Sequence, residues 1–447
     1  MNTEPSRRSF IKKTAIAGTA ALVLPTIIPA SAFGANDRIN AAVLGINGRG
    51  NSHIQGFMAQ KDVQVTTLCD PDMNLLTAGK KTFKEKYNTD VALEQDLRKV
   101  FDNKDIDVVS LATPNHWHAL ATIWACQAGK DVYVEKPGSH NISEGRKMIE
   151  AADKYDRIVQ HGVQLRSSPA VQQAIKLMRE GYIGRVYMAR GLVFRMRGDI
   201  GDKGVSPVPE GLDYDLWTGP APKRPFTRNL VHYNWHWNWD YGNGDVGNQG
   251  IHETDLCMWG LDVGFPTKIT SMGGKYLWND SKEVPEVLTS IYNYPDENKI
   301  IQFEVRPWYT NSEGGATVGN IFYGDKGYLV VDGYDKFQTF LGEKGTPGIS
   351  GDDGAAASSG MDRGAGGTDG HFANFIDAVR KHDKSILNGP VETAHLSSGL
   401  AHLGNISYRL GRVLDFDPKS ETFVNDPEAD KMLTRDYRPV FEVPDQV

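Results

Sequence analysis

The chain has 447 residues, 40% of them hydrophobic, and a formal net charge of −7 at pH 7. This length is too great for a single core and predicts about two domains. The acidic balance argues against nucleic acid as a partner. The cysteines Cys69, Cys126 and Cys257 are far apart in the sequence, so we expect buried free thiols, with a disulfide between two of them as the alternative. No metal-ligand pattern is present, and we predict no metal.

Residues 1–32 have the layout of a twin-arginine export signal. Arg7 and Arg8 precede an apolar stretch that Pro25 interrupts and that ends near Ala32. The stretch is shorter than the roughly 20 residues that a membrane span requires, so we predict cleavage rather than a membrane anchor. Because this route exports folded proteins, the sequence predicts a periplasmic location.

Short apolar runs alternate with helical patterns through residues 38–163. This rhythm is typical of a parallel sheet covered on both faces by helices. The predicted strands are 39–45, 63–70, 107–114, 131–137 and 157–164, and the helices between them are 73–87, 116–129 and 143–155. We therefore expect an α/β fold whose N-terminal domain is a doubly wound Rossmann sheet.

Residues 164–425 are richer in strands and predict an α+β domain with an open, mainly antiparallel sheet. After a helix at 168–181, the turn "PDEN" at 295–298 joins two antiparallel neighbours. The strands are predicted at 185–194, 267–276, 286–294, 299–305 and 327–333. Residues 345–370 are mostly Gly, Ala, Ser and Asp and predict a mobile loop, with a place over the site as one option. Helices at 371–382 and 392–412 should pack on both domains.

A glycine-rich turn follows the first predicted strand. It runs through Gly45, Asn47, Gly48, Arg49 and Gly50, with Asn where a second glycine is usual. Such a turn lets a dinucleotide pyrophosphate approach the backbone at a helix N-terminus.

Asp70 ends the second predicted strand, 20 residues after Gly50. Its carboxylate can accept both ribose hydroxyls and would repel a 2′-phosphate, which favours NAD over NADP. The alternative is that Asp70 merely caps the following helix.

Three segments should meet at the carboxyl end of the first sheet, near the nicotinamide. They are "TPNHWH" (113–118), "VYVEKP" (132–137) and "HGVQLR" (161–166). The predicted cofactor contacts from these segments are Thr113, Pro114, Asn115, His118, Glu135 and Gln164.

The glycine turn, "ATPNHWH", "EKP" and the later "GNGDVGNQGIHETD" together resemble the Gfo/Idh/MocA family of glucose-fructose oxidoreductases and inositol dehydrogenases. The resemblance covers nearly the whole chain after the export signal. It implies a carbohydrate substrate, a sugar or polyol, bound between the two domains, in keeping with NAD as cofactor. We also expect a homo-oligomer. The resemblance also implies Lys136 as active-site lysine and His252 as proton-transferring histidine.

One position departs from the family pattern. Asn248 stands where the family commonly has Asp, one helical turn before His252, and Asp245 or Asp255 could substitute for that charge. The predicted substrate contacts are Lys136, Arg166, Trp237, Asp245, Asn248 and His252.

The stretch 232–245 is unusually aromatic. If it is a strand, Trp235, Trp237 and Trp239 share one face, where they either stack on a sugar or form a satellite core.

The sequence thus predicts an NAD-dependent oxidoreductase acting on a sugar, sugar derivative or glycoside. NAD is scarce outside the cytoplasm, so it should be held tightly. The alternatives are a redox-neutral NAD-dependent glycosidase and a non-catalytic sugar-binding protein.

Overall fold

The computed structural model describes residues 38–353 and 366–447. The predicted export signal at 1–32 lies outside the described residues. Within them, no helix combines the length and apolar character needed to cross a membrane. No group of three or more His, Cys, Asp or Glu in the described ranges is placed to hold a metal ion.

Six parallel strands form the first sheet, in the order β3-β2-β1-β4-β5-β6. They are β1 (Ile39–Leu44), β2 (Val63–Cys69), β3 (Ala92–Glu94), β4 (Val108–Leu111), β5 (Asp131–Val134) and β6 (Val159–His161). Apart from the edge strand β3, these strands are mostly buried, as expected of a sheet covered on both faces. The strand order reverses between β1 and β4, which places a ligand crevice at their carboxyl ends.

Helices lie on both faces of this sheet. They are α1 (Arg49–Met58), α2 (Met73–Tyr87), α3 (Leu97–Asp102), α4 (Asn115–Gln127) and α5 (Ile142–Lys154). Alternate residues of β1 enter two separate cores: Ala41 and Val43 pack with α1 and α2, whereas Ala42 and Leu44 pack with α3, α4 and α5. The parallel doubly wound architecture predicted from the alternating pattern is confirmed.

Ten strands form the second sheet, which is antiparallel except for one pair, β7 with β10. Its strands are β7 (Val186–Phe194), β8 (Lys268–Gly274), β9 (Val287–Tyr294), β10 (Lys299–Arg306), β11 (Val318–Gly324), β12 (Gly327–Asp332), β13 (Lys336–Leu341), β14 (Thr346–Asp352), β15 (Leu414–Asp417) and β16 (Thr422–Phe423). The predicted turn at 295–298 joins β9 to β10, with Tyr294 opposite Lys299. The predicted mainly antiparallel sheet is confirmed.

The remaining helices are divided between the two halves of the chain. They are α6 (Pro169–Arg179), α7 (Tyr214–Thr218), α8 (Gly244–Asn248), α9 (Gly250–Leu261), α10 (Gly366–Lys381), α11 (Val391–Leu410) and α12 (Pro427–Asp430). From α10, Phe372 stacks on Tyr133 of β5 with ring centroids 4.4 Å apart. Helix α11 contacts both α5 and β8. Helix α10 thus packs on the first sheet, whereas α11 contacts elements of both halves of the chain.

Part of the predicted loop at 345–370 is wrong. Residues 346–352 form β14, which pairs with β13 as the last strand of the sheet, and α10 begins at residue 366. A backbone ladder at a sheet edge needs few apolar side chains, so the polar composition concealed this strand. The rest of that predicted loop lies outside the described residues. Cys69, Cys126 and Cys257 are buried free thiols, as expected.

Candidate active site

The glycine turn joins β1 to α1 with a backbone that larger residues could not adopt. Gly45 has φ of +81°, and a Cβ there would lie 2.6 Å from the carbonyl oxygen of Ala112. A Cβ on Gly50 would lie 1.9 Å from the carbonyl oxygen of Gly45. No side chain caps the N-terminus of α1, and the helix dipole there attracts an anionic group.

Asp70 lies beside this turn and is 5% exposed. Its Oδ2 accepts a hydrogen bond from the Ile46 N–H (3.1 Å) and its Oδ1 accepts one from the Asp72 N–H (3.0 Å). Burial raises the pKa of Asp70, which the two backbone donors oppose. Asp72, whose carboxylate accepts from the Asn74 N–H, caps α2. Capping therefore does not explain Asp70, which lines the cavity described next.

A cavity of about 330 Å³ opens at the carboxyl ends of the strands in the first sheet. Fourteen of the residues predicted from the sequence line it: Gly45, Asn47, Gly48, Arg49, Asp70, Thr113, Pro114, Asn115, His118, Glu135, Lys136, Gln164, Asn248 and His252. The glycine cradle, the uncapped helix N-terminus and the carboxylate at the end of β2 fit a dinucleotide with free ribose hydroxyls.

Glu135 is the centre of a polar network in the cavity wall. Its Oε1 accepts from the Arg49 Nε (2.7 Å), the His53 Nε2 (3.0 Å) and the Gln164 Nε2 (3.1 Å). Burial alone would raise the pKa of Glu135, but Arg49 and His53 hold it well below its ordinary value. Glu135 is therefore a carboxylate that holds the Arg49 side chain and, through Oε2, accepts a hydrogen bond from the Lys136 N–H (3.1 Å).

Lys136 and His252 face the same cavity from different parts of the chain. The Lys136 Nζ donates to the backbone carbonyl of Asn248. Burial lowers the pKa of Lys136 to about 8, against the opposing charge of Glu135. Burial, and then the charge of Lys136, lower the pKa of His252 to about 3, so its imidazole is neutral near pH 7.

His252 has no acidic partner in the described structure. Its Nδ1 is buried without a hydrogen-bond partner, and so is the Nδ2 of Asn248. Of the two carboxylates considered as substitutes, Asp245 pairs with Arg197 and Asp255 pairs with Arg166. Because each carboxylate is paired with an arginine, the expectation that either could stabilise a charged His252 finds no support in this geometry.

Four predicted site residues do not line the cavity. Gly50 packs against the backbone of the turn. Arg166 pairs with Asp255, and Asp245 pairs with Arg197, as described above. Trp237 is 4% exposed and lies under the guanidinium of Arg197, 5.3 Å from its ring centroid. The predicted substrate contacts of Arg166, Trp237 and Asp245 find no support in this geometry.

The aromatic stretch is not a strand. Residues Asn234–Trp237 form a 3₁₀ helix, so Trp235 and Trp237 do not share a face by alternation. Trp235 lines the cavity and its ring stacks on that of His236, with centroids 3.6 Å apart. His236 lines the cavity as well, and its Nδ1 donates to the Tyr233 carbonyl (2.5 Å).

A segment at 210–241, here called the strap, forms one wall of the cavity. It follows β7 in the sequence and contacts the first sheet where β2 ends. The Met73 N–H donates to the Gly211 carbonyl (2.9 Å), and the Asp213 N–H donates to the Pro71 carbonyl (2.9 Å). The Nε2 of His232 lies 3.1 Å from the Oδ2 of Asp72.

The strap is also fixed to α4 at the other side of the crevice. The Trp117 Nε1 donates to the Leu216 carbonyl (3.1 Å), and the His116 Nε2 lies 3.0 Å from the Trp217 carbonyl. The strap has a small core of its own: Leu212, Tyr214, Trp217, Ala221, Phe226, Leu230, Trp235 and Tyr241.

Several residues in the cavity wall were not predicted. They include Arg195 beyond β7, Tyr334 between β12 and β13, and the strap residues Leu216, Trp217, His232, Tyr233 and His236. Trp235, which the sequence analysis considered for stacking on a sugar, lines the cavity as well. The aromatic composition of the strap was a usable signal, although the element type was wrong. Nothing in the sequence distinguishes Arg195 or Tyr334.

The parallel sheet, the glycine turn and Asp70 define a dinucleotide-binding protein with a second α/β domain. Two family models match the chain: an oxidoreductase NAD-binding Rossmann fold over residues 39–163, and an oxidoreductase C-terminal α/β domain over 194–302 and 366–443. The chain therefore belongs to the Gfo/Idh/MocA oxidoreductase family. This assignment confirms the predicted family and the predicted cofactor, NAD.

Curated relatives match shorter stretches. A levoglucosan dehydrogenase of Pseudarthrobacter phenanthrenivorans is 40% identical over 96 residues, which cover 22% of this chain and 25% of that protein. A glycosyl hydrolase family 109 protein of Solibacter usitatus is 29% identical over 177 residues, covering 36% and 38% of the two chains. The matches thus span well under half the length of these relatives.

Solved structures show the same fold over a longer range. A levoglucosan dehydrogenase in complex with NADH and levoglucosan has a TM-score of 0.65 at 18% identity, covering 85% of this chain and 99% of that one. An aldose-aldose oxidoreductase from Caulobacter crescentus has a TM-score of 0.64 at 18% identity, covering 85% and 100%.

Proposed function

We propose that this protein is an NAD-dependent oxidoreductase that acts on the carbinol of a sugar, sugar derivative or glycoside. The observation that carries the proposal is the meeting of Lys136 and His252 in the cavity that also contains the glycine turn and Asp70. The names of the levoglucosan dehydrogenase and aldose-aldose oxidoreductase relatives agree with a carbohydrate substrate.

When bound, NAD would supply the hydride-acceptor chemistry that oxidation of the carbinol requires. The glycine turn and the N-terminus of α1 would hold its pyrophosphate, and Asp70 would hold its ribose. The two residues opposite then have defined tasks. The neutral His252 accepts the hydroxyl proton, and the ammonium of Lys136 donates a hydrogen bond to the oxygen that becomes a carbonyl.

At neutral pH both residues are in the protonation state that these tasks require. The low pKa of His252 leaves an unprotonated imidazole available at neutral pH. Lys136 uses one N–H donor on the Asn248 carbonyl and has two more for substrate. General base catalysis of this kind contributes roughly 10²- to 10⁴-fold.

The proposal is tested by adding single sugars to purified protein and following the absorbance of the reduced nicotinamide. Sugar-dependent reduction of bound NAD supports it. A complete absence of reduction across neutral, acidic and amino sugars, in protein shown to carry NAD, would contradict it and favour a non-catalytic sugar-binding protein.

A redox-neutral glycosidase is the second candidate, and His236 favours it. Elimination of an aglycone after transient oxidation needs a second proton-transfer group besides the base for the hydroxyl. The Nδ1 of His236 is held by the Tyr233 carbonyl, which leaves Nε2 as an acceptor at the cavity wall. The family 109 glycosyl hydrolase relatives agree with this candidate by name.

The two candidates are separated by aryl glycosides. Release of the aglycone without an added electron acceptor, together with its loss in His236→Asn, supports the glycosidase. Reduction of the cofactor without aglycone release supports the oxidoreductase.

We further propose that NAD is retained as a prosthetic group and that the protein is exported folded. The strap supports retention because it covers the crevice from the end of β2 to α4.

Export is tested by fractionating cells that produce the full chain and the double variant Arg7→Lys, Arg8→Lys. Periplasmic activity lost in the double variant supports export, and equal distribution would contradict it. The expected homo-oligomer is tested by light scattering of the purified protein.

A further inference from the structure

Arg195 is a cation in the cavity wall that faces no carboxylate. Its Nη1 donates to the neutral side-chain amide of Gln249 (2.8 Å), and its backbone N–H donates to the Arg306 carbonyl (3.1 Å). Within the described ranges, no Asp or Glu oxygen lies within ion-pair distance of its guanidinium. Four of its five N–H donors therefore have no partner in the wall.

The other arginines around this site are paired. Two residues further along the chain, Arg197 makes a two-point contact with Asp245, at 2.7 and 2.9 Å. Arg166 does the same with Asp255, and Arg49 pairs with Glu135. Because a partly buried guanidinium without a counterion is costly, the contrast indicates that the partner of Arg195 is not part of the protein.

Arg195 is joined to the reacting end of the cavity through a short chain of contacts. Gln249 accepts from Arg195 and donates through Nε2 to the Tyr334 hydroxyl. The ring of Tyr334 packs edge-on against the ring of His252, with centroids 5.5 Å apart. Arg195 and Tyr334 both line the cavity, so an anion at Arg195 would lie on the same molecule as a carbinol at His252.

The one acid near this chain of contacts does not neutralise Arg195. Glu253 accepts from the Gln249 Nε2 (3.0 Å), is 1% exposed, and does not line the cavity. Burial raises the pKa of Glu253 to about 8, so it is mainly a neutral carboxylic acid at pH 7. The positive charges of Arg195 and Lys136 therefore dominate the substrate end of the cavity.

We propose that Arg195 binds an anionic group of the substrate, so that the substrate class is an acidic sugar carrying a carboxylate or a phosphate. A guanidinium fork matches both groups in two-point geometry. Gln249 is a positioning residue that orients Arg195 and Tyr334. This inference rests on the proposed function, since it places the reacting carbinol at Lys136 and His252.

The test is calorimetric binding of three probes to the NAD-loaded protein: methyl β-D-glucuronide, D-glucose 6-phosphate and methyl β-D-glucoside. We expect the neutral glucoside to bind roughly 10- to 100-fold more weakly than at least one of the acidic probes. The difference between the two acidic probes identifies carboxylate or phosphate as the group.

Two variants and a control assign the effect to the side chain. Arg195→Gln should remove the preference while binding of the glucoside stays within about twofold, and Arg195→Lys should keep part of it because the charge remains. Arg185→Gln, an exposed arginine next to the start of β7, should keep the full preference. Circular dichroism checks that each variant is folded.

Equal binding of the three probes, binding of none, or an unchanged preference in Arg195→Gln overturns the inference. Calorimetry detects binding whether or not hydride is transferred. An acidic preference without reduction of NAD therefore contradicts the proposed function alone, and reduction by sugars without any acidic preference contradicts this inference alone.

Discussion

The two ends of the cavity are built in different ways. The cofactor end consists of backbone and strand-end residues from a single sheet: the glycine turn, Asp70 and Glu135. The substrate end is assembled from side chains far apart in the sequence: Arg195, His236, His252 and Tyr334. Backbone geometry therefore limits what the cofactor end can bind, whereas single side chains can change what the substrate end accepts.

The largest expected effect is a loss of turnover when Lys136 or His252 is replaced, with NAD still bound at the cofactor end. Lys136→Met and His252→Ala should each lower turnover by at least about 10²-fold, because one loses the hydrogen-bond donor to the reacting oxygen and the other loses the base. NAD content, measured after denaturation of the purified variants, should stay at the wild-type level. Near-normal turnover in both variants would remove the proposed roles.

The backbone character of the cofactor end is tested with two glycines. Gly45→Ala places a methyl group against the Ala112 carbonyl at positive φ, whereas a Cβ on Gly48, also at positive φ, meets no protein atom within 4 Å. We expect the loss of unfolding free energy in cofactor-free protein to be about 1–3 kcal/mol larger for Gly45→Ala. Equal denaturant midpoints would show that the turn at Gly45 tolerates side chains.

A pH profile distinguishes the two residues at the reacting centre. Lys136, with a pKa of about 8, loses its proton above that pH, so single-turnover reduction should fall about tenfold per pH unit from pH 8 upward. His252, with a pKa of about 3, is already unprotonated at pH 5, so no decline is expected between pH 7 and pH 5. In Lys136→Met the alkaline decline should be absent.

The smallest expected effect concerns the strap. His232→Ala removes the side-chain contact to Asp72, which corresponds to about 1 kcal/mol, or roughly fivefold faster loss of NAD. The rate is measured by dilution into an NAD-scavenging enzyme. His382→Ala, whose ring contacts Asp156 on the protein surface, is the matched control and should not change it. An unchanged rate in His232→Ala would mean that this contact does not retain the cofactor.

Sequence reasoning worked where function follows from local geometry. Gly45, Asp70 and Glu135 each stand at a strand end, and the ends of parallel strands meet at one edge of the sheet. It failed where a residue acts through long-range packing. Trp237 was predicted to stack on a sugar because it lies in an aromatic stretch, but its ring lies beneath the guanidinium of Arg197. Arg195 looked like any surface arginine because only the fold shows that its neighbours leave it without a counterion.

The strap has a kinetic consequence for the bound nucleotide. Because backbone hydrogen bonds tie it to the end of β2 and side-chain hydrogen bonds from Trp117 and His116 tie it to α4, we expect the ribose side of the crevice to open only when those contacts break together. Release would then follow first-order kinetics set by the protein's own opening rate, unaffected by how much free nucleotide surrounds it. Such an enzyme would carry out many turnovers with the one NAD molecule that it bound during folding, without exchanging it for free NAD.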